Sequence, residues 1–343
     1  MTEVRSKKTR APITMQISVS DRDYDCAKHV IPHQLRTLGI HADEVLISIN
    51  RFQRPTNQEP LDQLMVQLSE EFDNVRVEEV EYSEQCRKWV SDSFFDGSDY
   101  PLFDFKGAPI HAFIEPFTKA RNPYLFRLEC DMLLGGEGPW FHEAIQLLNN
   151  HDDVIAVNPI AGPRRPGMAY HSGGYEFPEI SGEAFKVDLF TTRNHLIEIE
   201  PFCATMGSLQ LTPPKRLKHR VFTRVAGYPM ADHLEILFQN KMRNKGLLRA
   251  DLGGSGGLWT LHPLYKTPQV LSKLPKLISM VESGDIPDAQ VGLYDLHQSL
   301  LGETDRPVRA HEAKRLGSLL IDRLFSGRSS HGLRSSYFEQ SKP

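Results

Sequence analysis

The sequence predicts a doubly wound, mostly parallel α/β sheet flanked by helices and followed by a C-terminal helical extension. Three observations carry this expectation. Between residues 13 and 80, short β-rich apolar runs alternate with stretches whose apolar side chains recur at helical spacing. A second apolar run, Tyr124 to Leu128, precedes a helix opened by Gly138-Pro139, and a further strand, Val154 to Val157, follows it. The 343 residues are 40% hydrophobic and 24% charged, an ordinary globular composition with enough apolar mass for one large domain plus an appendage.

Ile13 to Val19 (ITMQISV) is the first strand, punctuated by Ser18, Ser20 and Asp21. Tyr24 to Leu38 has helical spacing at Val30, Ile31, Leu35 and Leu38 with a Gly39 stop, and Pro32 is expected to break or kink its start. Glu44 to Asn50 is the second strand. Leu61 to Phe72 is an amphipathic helix with Leu61, Leu64, Met65 and Leu68 on one stripe, and Val75 to Val80 is the third strand. Residues Glu81 to Ala108 are acidic and aromatic with little period, which reads as an insertion or irregular crossover.

His111 to Ala120 is expected to be helical and Tyr124 to Leu128 to be a buried strand. Pro139 to Leu148 is a helix whose proline sits at the first position, where its missing N–H does no harm. After Val154 to Val157 comes a loop rich in Gly and Pro, then β-like runs at Phe185 to Thr191 and His195 to Ile199. A helix follows at Asp232 to Asn244, stopped by Gly246. Helical stretches are expected around Leu271 to Val281, Val291 to Leu301 and Val308 to Leu324, and the Ser-rich segment from Ser326 is expected to be a mobile tail.

Composition narrows the function classes. Forty Lys plus Arg against 44 Asp plus Glu leave a net charge of −4, so no global basic field invites nucleic acid. The polar, basic arm of residues 1–12 has no apolar core behind it, and no stretch approaches the roughly 18 apolar residues of a membrane helix. The expectation is a soluble, cytoplasmic protein without a transmembrane segment. Cys26, Cys86, Cys130 and Cys203 lie far apart, without a Cys-x-x-Cys pair, and suggest neither a disulfide framework nor a zinc site. Charge is uneven along the chain: acids exceed bases by 15 to 5 from Asp43 to Asp104, and bases exceed acids by 9 to 2 from Lys215 to Arg249. The basic stretch is either a surface that faces an anion or a solvated face.

The strongest chemical signal is Tyr124-Leu-Phe-Arg-Leu-Glu129-Cys130-Asp131, two acids one residue apart at the end of an apolar strand. In open α/β sheets, ligands bind at the carboxyl ends of strands, and carboxylate oxygens there suit Mg²⁺ or Mn²⁺ held together with substrate phosphates. With the Trp140 helix, the strand DDVIAVNP, the helix ADHLEILFQNKMRNKG and WTLHP, this segment resembles the nucleotide-sugar glycosyltransferases of the GT-A fold, the broad group that includes cellulose and chitin synthases.

The resemblance covers residues 13 to 265. It implies a GT-A-type catalytic domain over residues 1–265, a helical extension over 266–325 and a tail over 326–343. It further implies a metal-dependent, inverting transfer from a UDP- or GDP-sugar to a hydroxyl acceptor of unknown identity. Asp131 and His262 would hold Mn²⁺ or Mg²⁺, and Glu129, standing where the family has Asp, would contact the nucleotide or the metal. Ser18, Val19, Ser20, Asn50, Arg51 and Arg193 would bind the nucleotide sugar. The acceptor base would be Asp232 or Glu235, although Asp-x-x-Glu at a helix start is also a capping box. The run Gly253-Gly254-Ser255-Gly256-Gly257 suits a loop that orders over the bound donor.

Other readings compete. The same run matches Gly-x-Ser-x-Gly, the nucleophile elbow of serine hydrolases, but Pro263 stops the helix that the elbow needs. A nucleotidyltransferase lacks its glycine loop here, since SVSDRDYD contains none, and no phosphate-loop kinase motif occurs. A catalytically silent nucleotide- or glycan-binding relative is the alternative of a different class. His29 and His33 are one helical turn apart, but Pro32 between them argues against a metal pair.

Overall fold

The computed structural model describes residues 11–301 apart from 52–56, 139, 166–167, 169, 173–174, 177–178, 182–183 and 264–265. The basic arm, the Val308 to Leu324 helix and the tail therefore lie outside the described residues. The chain opens with β1 (Ile13–Ser20), α1 (Tyr24–Thr37), β2 (Glu44–Asn50), α2 (Gln58–Glu71) and β3 (Val75–Glu79). Then come α3 (Glu84–Phe94), α4 (His111–Ile114), α5 (Pro116–Lys119), β4 (Tyr124–Glu129), β5 (Leu133–Gly135), α6 (Trp140–Asn150) and β6 (Val154–Ala161). Short strands follow: β7 (His171–Ser172), β8 (Tyr175–Glu176), β9 (Glu179–Ser181), β10 (Ala184–Val187) and β11 (Asn194–Glu198). The series ends with α7 (Ile199–Met206), α8 (Leu217–Ala226), α9 (Leu234–Lys245), β12 (Leu248–Leu252), β13 (Trp259–Leu261) and α10 (Pro268–Glu282).

The main sheet runs β3-β2-β1-β4-β11-β6-β12-β10-β9, with β13 pairing β5 and β6. Its first four strands are parallel, and β2 is buried at every position, as expected of strands covered on both faces. The next strand, β11, runs antiparallel to both β4 and β6. One core packs α1, α2 and α6 on one face around Ile17, Ile47, Phe126 and Phe141. A second fills the opposite face with Phe94, Phe113, Phe202 and Phe238 from α3, α4, α7 and α9. A third seats α10 through Leu274, Leu277 and Ile278 against Leu133 and Trp259.

Several elements depart from expectation for identifiable reasons. Helix α1 continues through Pro32, because it buries Cys26, Ala27, Val30, Ile31 and Leu35. At roughly 1.5–3 kcal/mol per buried aliphatic side chain, that burial outweighs the ~3 kcal/mol cost of an internal proline. Residues Glu81 to Ala108 are not simply irregular, since Ser83 Oγ accepts from Cys86 N at 3.3 Å and caps α3, which buries Val90 and Phe94. His111 to Ala120 splits at Glu115 into α4 and α5, because Pro116 has no N–H to continue the ladder. The β-like run from Phe185 is shorter than expected and stops at Val187, where β10 pairs β12. Helices α7 and α8 appear where no element was expected. Instead of a helix over Val291 to Leu301 there is one short 3₁₀ turn, Gln298–Leu301, because His262 pairs its backbone with Tyr294 and Leu296 and draws the preceding segment out. Among the described residues, no helix is long and apolar enough to cross a membrane.

Candidate active site

Parallel pairing brings the carboxyl ends of β1, β2 and β4 to one edge, with Ser18 opposite both Ser48 and Glu129, and Ser20 opposite Asn50. A pocket of about 220 Å³ opens there, and Ser18, Val19, Ser20, Asn50, Glu129 and Asp131 all line it. A shallower depression on the outer face of α2, between Gln58 and Val66, holds none of the candidate residues.

Arg193 and His262 reach the same place by other routes. Because β11 is antiparallel, the residue before it lies beside the end of β4, and Glu129 N donates to Arg193 O at 2.9 Å. The Arg193 guanidinium contacts His262 Nδ1 at 2.7 Å. His262 follows β13 and stacks on Tyr294 at 5.8 Å, and its Nε2 stands 3.9 Å from Asp131 Oδ2. Arg51 is turned away from the pocket, towards Asp62, Glu79 at 3.1 Å and Asp21 at 3.7 Å.

Sequence reasoning passed over the central cation. Lys266 Nζ lies 3.0 Å from Asp131 Oδ2 and 2.6 Å from Asp23 Oδ1, and it lines the same pocket. Asp23 is fixed in turn by Ser20, whose Oγ donates to Asp23 Oδ2 at 2.6 Å. Nothing in the sequence marks Lys266 beyond its place four residues after His262. At the pocket wall, Arg127 donates to Gln16 Oε1 at 2.9 Å and to Thr192 O at 3.1 Å, and burial pushes it down to about 10.

The surroundings push the two acids of the β4 end in opposite directions. Burial, reinforced by the neighbouring Asp131 charge, raises Glu129 above the usual carboxylate range. Burial also opposes ionisation of Asp131, but Lys266 and His262 outweigh it and hold Asp131 low. The site thus favours the protonated form of Glu129 more than an open carboxyl would, and the charged form of Asp131.

The fit of a divalent cation follows from the donors. Asp131 Oδ1 is buried and has no hydrogen-bond partner among the described residues. One open carboxylate oxygen together with donor phosphates is a normal Mg²⁺ arrangement. His262 is differently disposed: its Nδ1 lies between the Arg193 guanidinium at 2.7 Å and Asp295 Oδ1 at 3.2 Å, and its Nε2 faces Asp131. Among the described residues, no three of His, Cys, Asp and Glu converge on a closed metal site.

The candidate bases lie outside the pocket lining. Asp232 is 7% exposed, its N–H donates to Thr212 O at 2.8 Å, and its Oδ1 accepts from His233 N at 2.9 Å. Glu235 is half-buried in the first turn of α9. The capping box is not formed, because the helix starts at Leu234 with His233 at the cap position. His233 Nδ1 hydrogen-bonds Asp104 Oδ2, while Asp104 Oδ1 accepts from Lys106 N and Ala108 N at 2.7 and 3.0 Å. That loop runs on to Pro109 in the pocket wall, so one short segment ties the start of α9 to the pocket.

The glycine run is not a loose lid. A Cβ on Gly256 would fall 1.1 Å from Glu137 O, and one on Gly136 would fall 2.4 Å from Gly257 O, so two backbones lie in contact. Glu143 Oε1 and Oε2 accept from Ser255 Oγ and N at 2.5 and 2.8 Å. Ser255 is thus a tethering group with a carboxylate partner, not a nucleophile beside a histidine.

No protein-family model matches the chain, and no curated protein matches it. Among solved structures, the chain is similar to Staphylococcus aureus TarS 1-349 in complex with UDP-GlcNAc, at 11% identity and a TM-score of 0.40, covering 96% of this chain and 77% of that one. A second TarS 1-349 structure gives a TM-score of 0.37 at the same identity and coverage. The apo form of mouse xyloside xylosyltransferase 1 is similar at 11% identity and a TM-score of 0.33, covering 68% of this chain and 81% of that one. With its β3-β2-β1-β4 parallel edge, its reversed β11 before β6 and its acids at the end of β4, the chain has a mixed, mostly parallel α/β sheet flanked by helices.

Proposed function

We propose that the protein is a glycosyltransferase that moves a sugar from a nucleoside-diphosphate donor of the UDP- or GDP-sugar type to an acceptor hydroxyl. The observation that carries the reading is the meeting, in one strand-end pocket, of the strand ends Ser18 to Ser20 and Asn50, the Glu129–Asp131 pair and the cation Lys266, with Arg193 bonded beside it to Glu129 and His262. Ser18, Val19, Ser20 and Asn50 receive the nucleoside. Lys266 and Arg193 face the diphosphate and stabilise the charge that gathers on it as the anomeric bond breaks. Glu129 contacts the nucleotide, and Asp131 keeps Lys266 in place. When bound, Mn²⁺ or Mg²⁺ held by Asp131 Oδ1 would neutralise part of the leaving group's charge. Asp232 takes the proton of the acceptor hydroxyl, with Glu235 as the alternative base, and a single displacement inverts the anomeric centre.

The test is the thermal stability of the full chain with UDP-, GDP-, CDP- and dTDP-sugars, each with Mn²⁺ and with EDTA, since a ligand that binds only the folded state raises its midpoint. One nucleotide should shift the midpoint, and Asp131→Asn should weaken that shift. No shift with any donor would end the reading. Hydrolysis or transfer by Asp232→Asn at the wild-type rate would pass the base role to Glu235.

A further inference from the structure

The basic stretch between Lys215 and Arg249 gathers in part on one exposed helix. In α8, Leu217 is 75% exposed and Val221 is 55% exposed, one helical turn apart on the same face. Exposed Leu211 and Met230 flank the helix in sequence, the Asp232 N to Thr212 O bond ties the two flanking segments to each other, and the Tyr228 N to Thr223 O bond ties the second to the helix end. Lys215, Arg216, Lys218 and Arg220 are exposed, and none of them makes an ion pair among the described residues. Lys106 reaches the patch over Phe105, which stacks on His219 at 5.0 Å. Burial and then the charges of Lys106, Lys218 and Arg216 depress His219, as a clustered positive field requires.

The arrangement is unfavourable for an isolated helix. The first turn of α8 carries no acid, and Arg216 and Lys218 stand at its end of positive dipole. An anionic plane would relieve that repulsion while the aliphatic side chains leave water. The pattern is that of a helix lying in a lipid interface, with apolar side chains towards the acyl boundary and long basic stems reaching the headgroups. A single-stranded nucleic acid would instead need exposed aromatic platforms, whereas Phe222 and Tyr228 are half-buried and face each other at 6.4 Å.

We propose that the α8 face is a docking surface for an anionic phospholipid bilayer, with Leu217 and Val221 entering the interface and Lys215, Arg216 and Lys218 on the headgroups. The assignment stands apart from the reading of the donor pocket, because its test needs no turnover.

The test is co-sedimentation of the full chain with phosphatidylcholine vesicles, with and without about 30% phosphatidylglycerol, at low and high salt. Binding is expected only to the anionic vesicles, weakening as salt shortens the screening length. Lys215→Glu/Arg216→Glu/Lys218→Glu should lose at least about a hundredfold in partitioning, given about fivefold per basic residue at such a surface. Leu217→Ser/Val221→Ser should also lose affinity, whereas Val66→Ser, on equally exposed α2, should not. All these positions are exposed, and circular dichroism checks that each variant is folded. Failure of the wild-type chain to bind anionic vesicles would overturn the proposal. So would unchanged binding after the charge reversal, or equal loss with Val66→Ser. Heparin or polyuridine binding as tight as vesicle binding, with Leu217→Ser/Val221→Ser unaffected, would make the face a general polyanion patch and would also overturn it.

Discussion

Replacing Lys266 by Met removes an ammonium 3.0 Å from Asp131 Oδ2 and 2.6 Å from Asp23 Oδ1 while keeping an apolar stem of similar length. At 3.0 Å, two unit charges attract by about 5–6 kcal/mol at an effective dielectric of ~20 and by about 1.4 kcal/mol in bulk water. The Lys266 side chain is 36% exposed against 8% for Asp131, so screening discounts the upper figure, and dehydration of the carboxylate offsets part of the rest. A net loss of about 1–3 kcal/mol is expected in urea unfolding, read as a lower midpoint at constant slope. In a double-mutant cycle, Asp131→Asn should be at least about 1 kcal/mol less costly in the Lys266→Met background than in the wild type, because the carboxylate it removes has already lost its partner. If the two losses add within about 0.5 kcal/mol, the side chains act independently and Lys266 is not what keeps Asp131 ionised.

Three further outcomes follow from local geometry. Buried His195 has no partner on Nε2, and burial with the nearby Arg127 charge pushes it down to about 3. Below about pH 6.5 the unfolded chain therefore binds a proton that the folded chain refuses, and stability falls towards pH 3 by up to about 1.4 kcal/mol per unit. His195→Gln should flatten that slope in unfolding measured across this range, and an unchanged slope would exonerate His195. Gly256→Ala should cost about 3 kcal/mol or more, since its Cβ would meet Glu137 O, whereas Gly246→Ala, in open space at φ +67°, should cost about 1–2 kcal/mol. Equal thermal shifts for the two would contradict the backbone contact. Ser255→Ala should lose about 1 kcal/mol with its hydrogen bond to Glu143 and leave turnover intact, so an inactive variant would restore a nucleophilic serine.

The first half of the fold was legible because its signals are local. The β2 expectation matches its observed bounds, Glu44–Asn50, and β1 and β3 differ from expectation by one residue at an end, since apolar runs closed by Ser, Asp or Asn leave little choice of register. The set Ser18 to Ser20, Asn50, Glu129 and Asp131, implied by the family resemblance, lines one pocket because parallel strands end together. What escaped depends on partners remote in sequence. The glycine run looked like a lid, because no sequence signal announces that Glu137 O lies where a Gly256 side chain would be. The expected helix start at Asp232 gave way to Leu234 because Asp104 and Thr212 claim the preceding residues. Lys266 was invisible because a lysine's meaning is set by the acids it meets, here Asp23 and Asp131, 243 and 135 positions away.

The reversed strand β11 has a consequence for how such a protein can vary. Its pairing to Leu128 and the backbone bond between Glu129 and Arg193 pin the cation from its own side of the sheet. Between β6 and β11 the chain also lays β10 beside β12, so the connections on either side of β10 can lengthen or shorten without dragging Arg193 away from the acids it faces. Specificity could then be rewritten in those connections while the charge-handling rim is inherited unchanged, much as a tool head is exchanged on a common handle.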